Sequence, residues 1–243
     1  DDHGARRGAF AEAMQGGTPA YRGHLMRAVL EEDPGAMGSW LKITDIVALH
    51  DSGAIDDATF GTLVETTAGA YHDGVIDDAS FEGFYNIDDP ETQVREGDQL
   101  LAFLAASDGP ETTQLRSEIA GNIVDQWAGD PYPTDGAMHA YNFRRLSLAF
   151  EVAAGDPNHP ELVTNLFNAQ SPQVQDAILA VAGQVHTPAD HNTLEGDLLV
   201  TLMNGASADS RPQGEALASR LARLPGEPVE VGRSGVGRGV RSD

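Results

Sequence analysis

The chain has 243 residues, 15 Lys+Arg against 38 Asp+Glu, and a formal charge of −23. That length can bury a sizeable core, and 40% hydrophobic content is ordinary for a globular chain, which excludes wholesale disorder. The acidity argues against nucleic acid or an anionic membrane as partner, the absence of cysteine removes disulfides and thiolate sites, and no stretch approaches the roughly 18 apolar residues of a membrane span.

In chain order, the opening Asp1-Asp2-His3 without methionine leads us to expect an excised or mature piece of a longer protein. Lys42 is the only lysine, and the other basic residues are arginine, a usage that fits a GC-rich or salt-loving source. Between Ile43 and Val94 there is no Lys or Arg against nine Asp and three Glu. Such a run reads as a solvated face with its loops, or as a surface for a cation or a basic partner.

Helix signals recur along the whole chain. Proline stands in the first helical position behind a capping residue at Thr18-Pro19, Asp89-Pro90, Ser171-Pro172 and Thr187-Pro188. Gly109-Pro110 and His159-Pro160 are weaker versions of the same signal. Apolar residues then fall at helical spacing: Leu115, Ile119, Ile123 and Trp127; Phe143, Leu146, Phe150 and Ala153; Val174, Ala177, Ile178, Val181 and Val185; Leu194, Leu198, Leu202 and Met203. Trp40 and the phenylalanines read as core. Stops are expected at Gly129-Asp130, Gly155-Asp156 and Asn204-Gly205. Alternation of period two is confined to Pro228–Val231, too short to found a sheet. The pattern predicts an all-α fold, a compact array of about ten antiparallel helices of roughly 10 to 18 residues with short loops. One domain is expected over residues 1–225, dividing near 88 if it divides, with a Gly/Arg-rich tail or linker over 226–243.

One internal repeat stands out. His50-Asp51-Ser52-Gly53-Ala54-Ile55-Asp56-Asp57 is followed by His72-Asp73-Gly74-Val75-Ile76-Asp77-Asp78, and the shared Gly-x-Ile-Asp-Asp core is displaced by 21 residues. Its plainest meaning is a helix stop at each glycine with positive φ, an inward isoleucine, and Asp56 or Asp77 capping the next helix. Two chemical readings compete with that. As a calcium loop the repeat would use Asp51, Asp56, Asp73 and Asp77, but Thr59 and Ser80 stand where a bidentate glutamate is needed. The other reading starts from Ile46–Asp51, which resembles the central doublet of the HD-domain phosphohydrolases, an all-α family that binds divalent metals. That resemblance implies a metal held by His24, His50, Asp51 and Asp125, although the basic residue that often follows the doublet is missing. A further group of potential ligands, His186, Asp190, His191 and Glu195, is explained equally well by the Thr187-Pro188 helix start.

Three stretches taken together carry a broader resemblance: Phe10–Met14 with Gly16–Arg22, the Gly-x-Ile-Asp-Asp repeat, and Leu100–Leu104 with Ser107–Glu111. Their succession, over about residues 8 to 224, resembles the helical, non-catalytic regions that precede the toxin domains of large secreted bacterial polymorphic toxins. The resemblance implies a scaffold or interaction module whose partner is another protein or an adjoining domain of a longer chain, with no cofactor. The alternatives are an HD-type metal-dependent phosphohydrolase and a calcium-responsive helical module.

Overall fold

A computed structural model describes residues 2–85, 93–129, 137–183 and 195–224. The chain is all-α, with thirteen helices and no strand among the described residues. In order these are α1 (Asp2–Met14), α2 (Pro19–Glu32), α3 (Ala36–Ser39), α4 (Ile43–Asp51), α5 (Asp57–His72), α6 (Asp78–Tyr85), α7 (Gln93–Ala105), α8 (Pro110–Gly129), α9 (Ala137–Ala154), α10 (Glu161–Ala169), α11 (Pro172–Ala182), α12 (Glu195–Ala208) and α13 (Pro212–Leu221). The Asp89-Pro90 and Thr187-Pro188 starts and the tail beyond 225 lie outside the described residues.

Side-chain caps open several of the helices. Thr18 Oγ1 accepts from the Tyr21 N–H at 3.2 Å, and Ser171 Oγ accepts from that of Val174 at 3.4 Å. Pro160 falls one place from its expected role: it is itself the N-cap, and α10 begins at Glu161. The expected stop at Gly155 falls one residue past the end of α9, while Asp130 of the Gly129-Asp130 stop lies outside the described residues. Asn204-Gly205, by contrast, does not stop a helix; α12 runs through it to Ala208. Gly205 is there for packing, because a Cβ on it would lie 2.5 Å from Val163 Cγ1 of α10.

The excess over ten helices comes from short ones that no periodicity announces. The four residues of α3 cross α6 so closely that a Cβ on Gly83 would lie 2.9 Å from Gly38 Cα. Lys42 Nζ clamps this crossing by donating to Gly38 O at 3.0 Å and Gly83 O at 2.6 Å. Burial, helped by nearby Arg7, holds the Lys42 ammonium below its ordinary range. Arg116 of α8 does the equivalent deeper in the core, donating to Leu104 O in the last turn of α7 (2.6 Å) and Val152 O in the last turn of α9 (3.3 Å). Cations at helix C-termini satisfy orphan carbonyls and oppose the macrodipole.

The helical stripes point inward as their spacing predicts. Leu115, Ile119, Ile123 and Trp127 are buried, as are Phe143, Leu146, Phe150 and Ala153, while Met203 is exposed. One apolar cluster runs from Phe10 to Leu221. Within it α5 packs on α2 and α8, and α8 packs on α9, which in turn meets α10 and α12. No helix among the described residues is long and apolar enough to cross a membrane.

Candidate functional site

The Gly-x-Ile-Asp-Asp repeat builds two copies of one helix junction. Gly53 (φ 71°) and Gly74 (φ 69°) are left-handed, as expected for glycine just past a helix end. At the first copy the Ala54 N–H reaches Leu49 O at 2.9 Å and the Gly53 N–H reaches His50 O at 2.8 Å. At the second, Val75 reaches Ala70 O at 2.9 Å and Gly74 reaches Tyr71 O at 3.0 Å. These are Schellman pairs, which close off the last carbonyls of α4 and α5. Ile55 and Ile76 are buried behind them. Asp56 Oδ1 then accepts from the Thr59 N–H at 2.9 Å, and Asp77 Oδ1 from that of Ser80 at 2.7 Å. Hydrogen bonds from Thr59 and Ser80 hold both exposed carboxyls below their ordinary range.

Backbone register makes His50 the counterpart of Tyr71, not of His72. The His50 ring stacks on Phe60 (4.4 Å between centroids) with Nε2 2.9 Å from Asp57 Oδ1. The Tyr71 ring stacks on Phe81 (4.5 Å) and its hydroxyl donates to Asp78 Oδ1 at 2.9 Å. Burial, and then that hydrogen bond, push the Tyr71 phenol up to about 12. The two His-Asp doublets therefore occupy different places. His72 turns to α8, and Asp73 accepts from Arg27 Nη1 of α2 at 2.9 Å.

Of the four residues that the HD resemblance singles out, His50 and Asp51 are neighbours, Nδ1 to Oδ1 3.8 Å. His24 is an exposed residue of α2 and Asp125 an exposed residue of α8. Among the described residues no three His, Asp or Glu side chains gather as a metal ion would require. In the calcium reading, Asp56 and Asp77 spend an oxygen on their own helix caps and Asp73 spends one on Arg27. His186, Asp190 and His191 lie outside the described residues, as does the side chain of Glu195.

The polar seam between α5 and α8 escapes sequence reasoning. Glu65 Oε1 of α5 accepts from Ser107 Oγ and from Thr112 Oγ1, and a Cβ on Gly109 would lie 2.5 Å from that carboxylate. Gly109 is thus small because Glu65 reaches over the start of α8. Farther along the seam, His72 lies between Glu111 and Glu118. The one available signal was the spacing of those glutamates, two helical turns apart on one face.

A groove of about 410 Å³ opens between α1 and α4, lined by Arg7, Phe10, Ala11, Leu41, Asp45 and Leu49 among others. Arg7 Nε donates to Trp40 O at 2.5 Å and lies 3.5 Å from Asp45 Oδ2.

No protein-family model matches the chain, and neither the curated proteins nor the solved structures contain a significant match to it.

Proposed function

We propose that the chain is a non-enzymatic helical scaffold or interaction module within a larger bacterial, secreted toxin-like protein. The observation that carries this reading is where the candidate polar atoms point. Asp56 and Asp77 cap helices, Asp73 holds Arg27, and His50 is sandwiched between Phe60 and Asp57. A catalytic or metal centre needs side chains whose free donors converge on one point; a cap turns each side chain back to its own backbone. The groove between α1 and α4 supports a docking role, since its mostly apolar lining suits a side chain from a protein partner or an adjoining domain.

A thermal melt of EDTA-treated protein tests the reading, repeated with calcium, magnesium, manganese and zinc at constant ionic strength. The expected response is flat. Ligand at a hundred times its dissociation constant would add about 2.7 kcal/mol, roughly 5 to 10 °C at this length. A manganese- or zinc-dependent rise that His50→Ala abolishes, accompanied by phosphoester turnover, would replace the scaffold with an HD-type hydrolase. A rise with calcium alone would replace it with a calcium-responsive module.

A further inference from the structure

The groove between α1 and α4 has an apolar body. Phe10 and Leu41, both buried, line it together with Ala11, Ala48 and Leu49. Its polar lining residues are already engaged within the protein. Arg7 Nε donates to Trp40 O beside Asp45, Asp45 Oδ2 accepts from the Lys42 N–H at 2.9 Å, and Ser52 Oγ donates to Leu49 O at 3.1 Å. A polar group entering the groove would give up water for side chains that have partners, so what fills it is apolar.

The charge left over around the groove is negative. Arg7 is offset by Asp45 at 3.5 Å, and Arg6, the other arginine of α1, by Asp33 at 3.0 Å and Asp2 at 3.1 Å. The Lys42 ammonium is spent on Gly38 O and Gly83 O. Two exposed carboxylates remain. Glu12 stands one turn beyond Gly8 on the same face of α1, and Gly8 lines the groove. Asp51 precedes Ser52 at the end of α4, its side chain 73% exposed and 3.8 Å from His50 Nδ1. That end of α4 also carries the negative pole of its helix macrodipole. With no Lys or Arg between Ile43 and Val94, α4 and the helix after it supply no lysine or arginine to cancel these charges.

We propose that the groove docks a basic segment of a protein partner, an apolar side chain filling it with arginine or lysine on either side. The proposal rests on the docking reading above and adds the sign of the partner. An acidic segment would set like charges against Glu12 and Asp51. A second copy of the chain is disfavoured on the same ground, since two chains of formal charge −23 repel.

Amide chemical shifts of the full-length protein, titrated with capped synthetic peptides, test the proposal. The probes are a leucine flanked by arginines, the same leucine flanked by glutamates, and the arginine peptide with glycine in place of leucine. The arginine–leucine peptide should shift the amides of Gly8, Ala11, Leu49 and Ser52, and loss of its leucine should weaken binding about tenfold or more. Glu12→Gln and Asp51→Asn should each weaken it about two- to fivefold, as exposed ion pairs do. Ala48→Leu, which fills the groove from an exposed position, should abolish it. Changing Arg233, Arg238 and Arg241 of the tail to glutamine should leave the affinity unaltered; tighter binding would make the tail the occupant and overturn the proposal. Groove amides that move on dilution of the protein alone would give that place to a second copy. Equal affinities for the arginine and glutamate peptides, or for leucine and glycine, would overturn the basic apolar partner. So would full affinity in both Glu12→Gln and Asp51→Asn. A groove that takes the glutamate peptide as well as the arginine one leaves the docking reading in place, whereas no groove shift with either leucine peptide at millimolar concentration would overturn both.

Discussion

His50 and Tyr71 occupy the same position in two successive helix junctions, each ring stacked on the phenylalanine ten residues ahead and each reaching an aspartate seven ahead at 2.9 Å. Equivalence of a histidine with a tyrosine says what the position requires. It needs a flat ring with a polar tip, to cover the phenylalanine and hold the first turn of the next helix. At the second copy the tip is a phenol pushed up to about 12 that donates to Asp78, so the position is filled there by a proton donor to the next helix and not by a free metal ligand. That is the physical reason for reading the His50-Asp51 doublet as part of a junction.

The junctions depend on backbone chirality at Gly53 and Gly74. A Cβ at either position meets nothing within 4 Å, so replacement by alanine costs only the left-handed conformation, about 1 to 2 kcal/mol. Gly53→Ala and Gly74→Ala should each lower Tm by roughly 2 to 8 °C, and asparagine at the same sites should cost less. Calorimetry on the four variants checks this; an alanine variant that melts with the parent would remove the requirement for positive φ.

Glycines inside helices should divide by what lies over them. Gly205→Ala puts a methyl 2.5 Å from the buried Val163 and should cost about 1 to 3 kcal/mol. Adding Val163→Ala should recover part of that loss, a coupling that a double-mutant cycle in urea would show. Gly121→Ala in α8 is the opposite case. Its Cβ meets nothing, and helix propensity alone should raise stability by up to about 1 kcal/mol. Equal costs at the two sites would mean that neither close packing nor propensity governs them.

These glycines also show how far the sequence could be read. Gly53 and Gly74 were legible because a positive-φ stop, an inward isoleucine and a capping aspartate are local events written within five residues. Gly205 was misread as a stop because its cause, Val163, lies on another helix. The same holds for Gly109 under Glu65 and for Gly38 against Gly83. Core stripes such as Leu115–Trp127 were legible from their period alone. Of the candidate site residues, the capping roles of Asp56 and Asp77 could be read locally. The pairing of His72 with Glu111 and Glu118 could not, since nothing in a single sequence states which two helices share a seam.

An acid limb of stability should trace to Asp209. Its carboxyl is buried between α12 and α13 and is bound by Arg211 through Nε at 2.8 Å and Nη2 at 2.9 Å. Those hydrogen bonds hold it well below the ordinary carboxylate range. Because the folded value lies below the unfolded one, the contribution is complete above about pH 4 and is lost as pH falls through the folded value. Asp209→Asn should therefore cost about 1 to 3 kcal/mol at neutral pH, and less as the pH approaches the folded value. Parallel unfolding curves at pH 2.5 and 7 for parent and variant would settle it; a constant difference between them would sink the assignment.

The equivalence of the two junctions leads to an exchange experiment. His50→Tyr should be accommodated, because at the second copy a tyrosine already stacks on its phenylalanine with its hydroxyl on the aspartate. The backbone hydrogen bonds that would carry the new side chain match to within a few tenths of an ångström. We expect His50→Tyr to melt within about 2 °C of the parent, while His50→Ala loses the ring pair, worth about 0.5 to 1.5 kcal/mol. If His50→Tyr falls as far as His50→Ala, the position does not accept any flat ring with a polar tip, and its match to Tyr71 is one of backbone only. The same variant separates function from folding. Tyrosine keeps the stack but replaces the imidazole of a metal ligand, so a manganese- or zinc-dependent activity lost in a fully folded His50→Tyr protein would place His50 in a reaction centre after all.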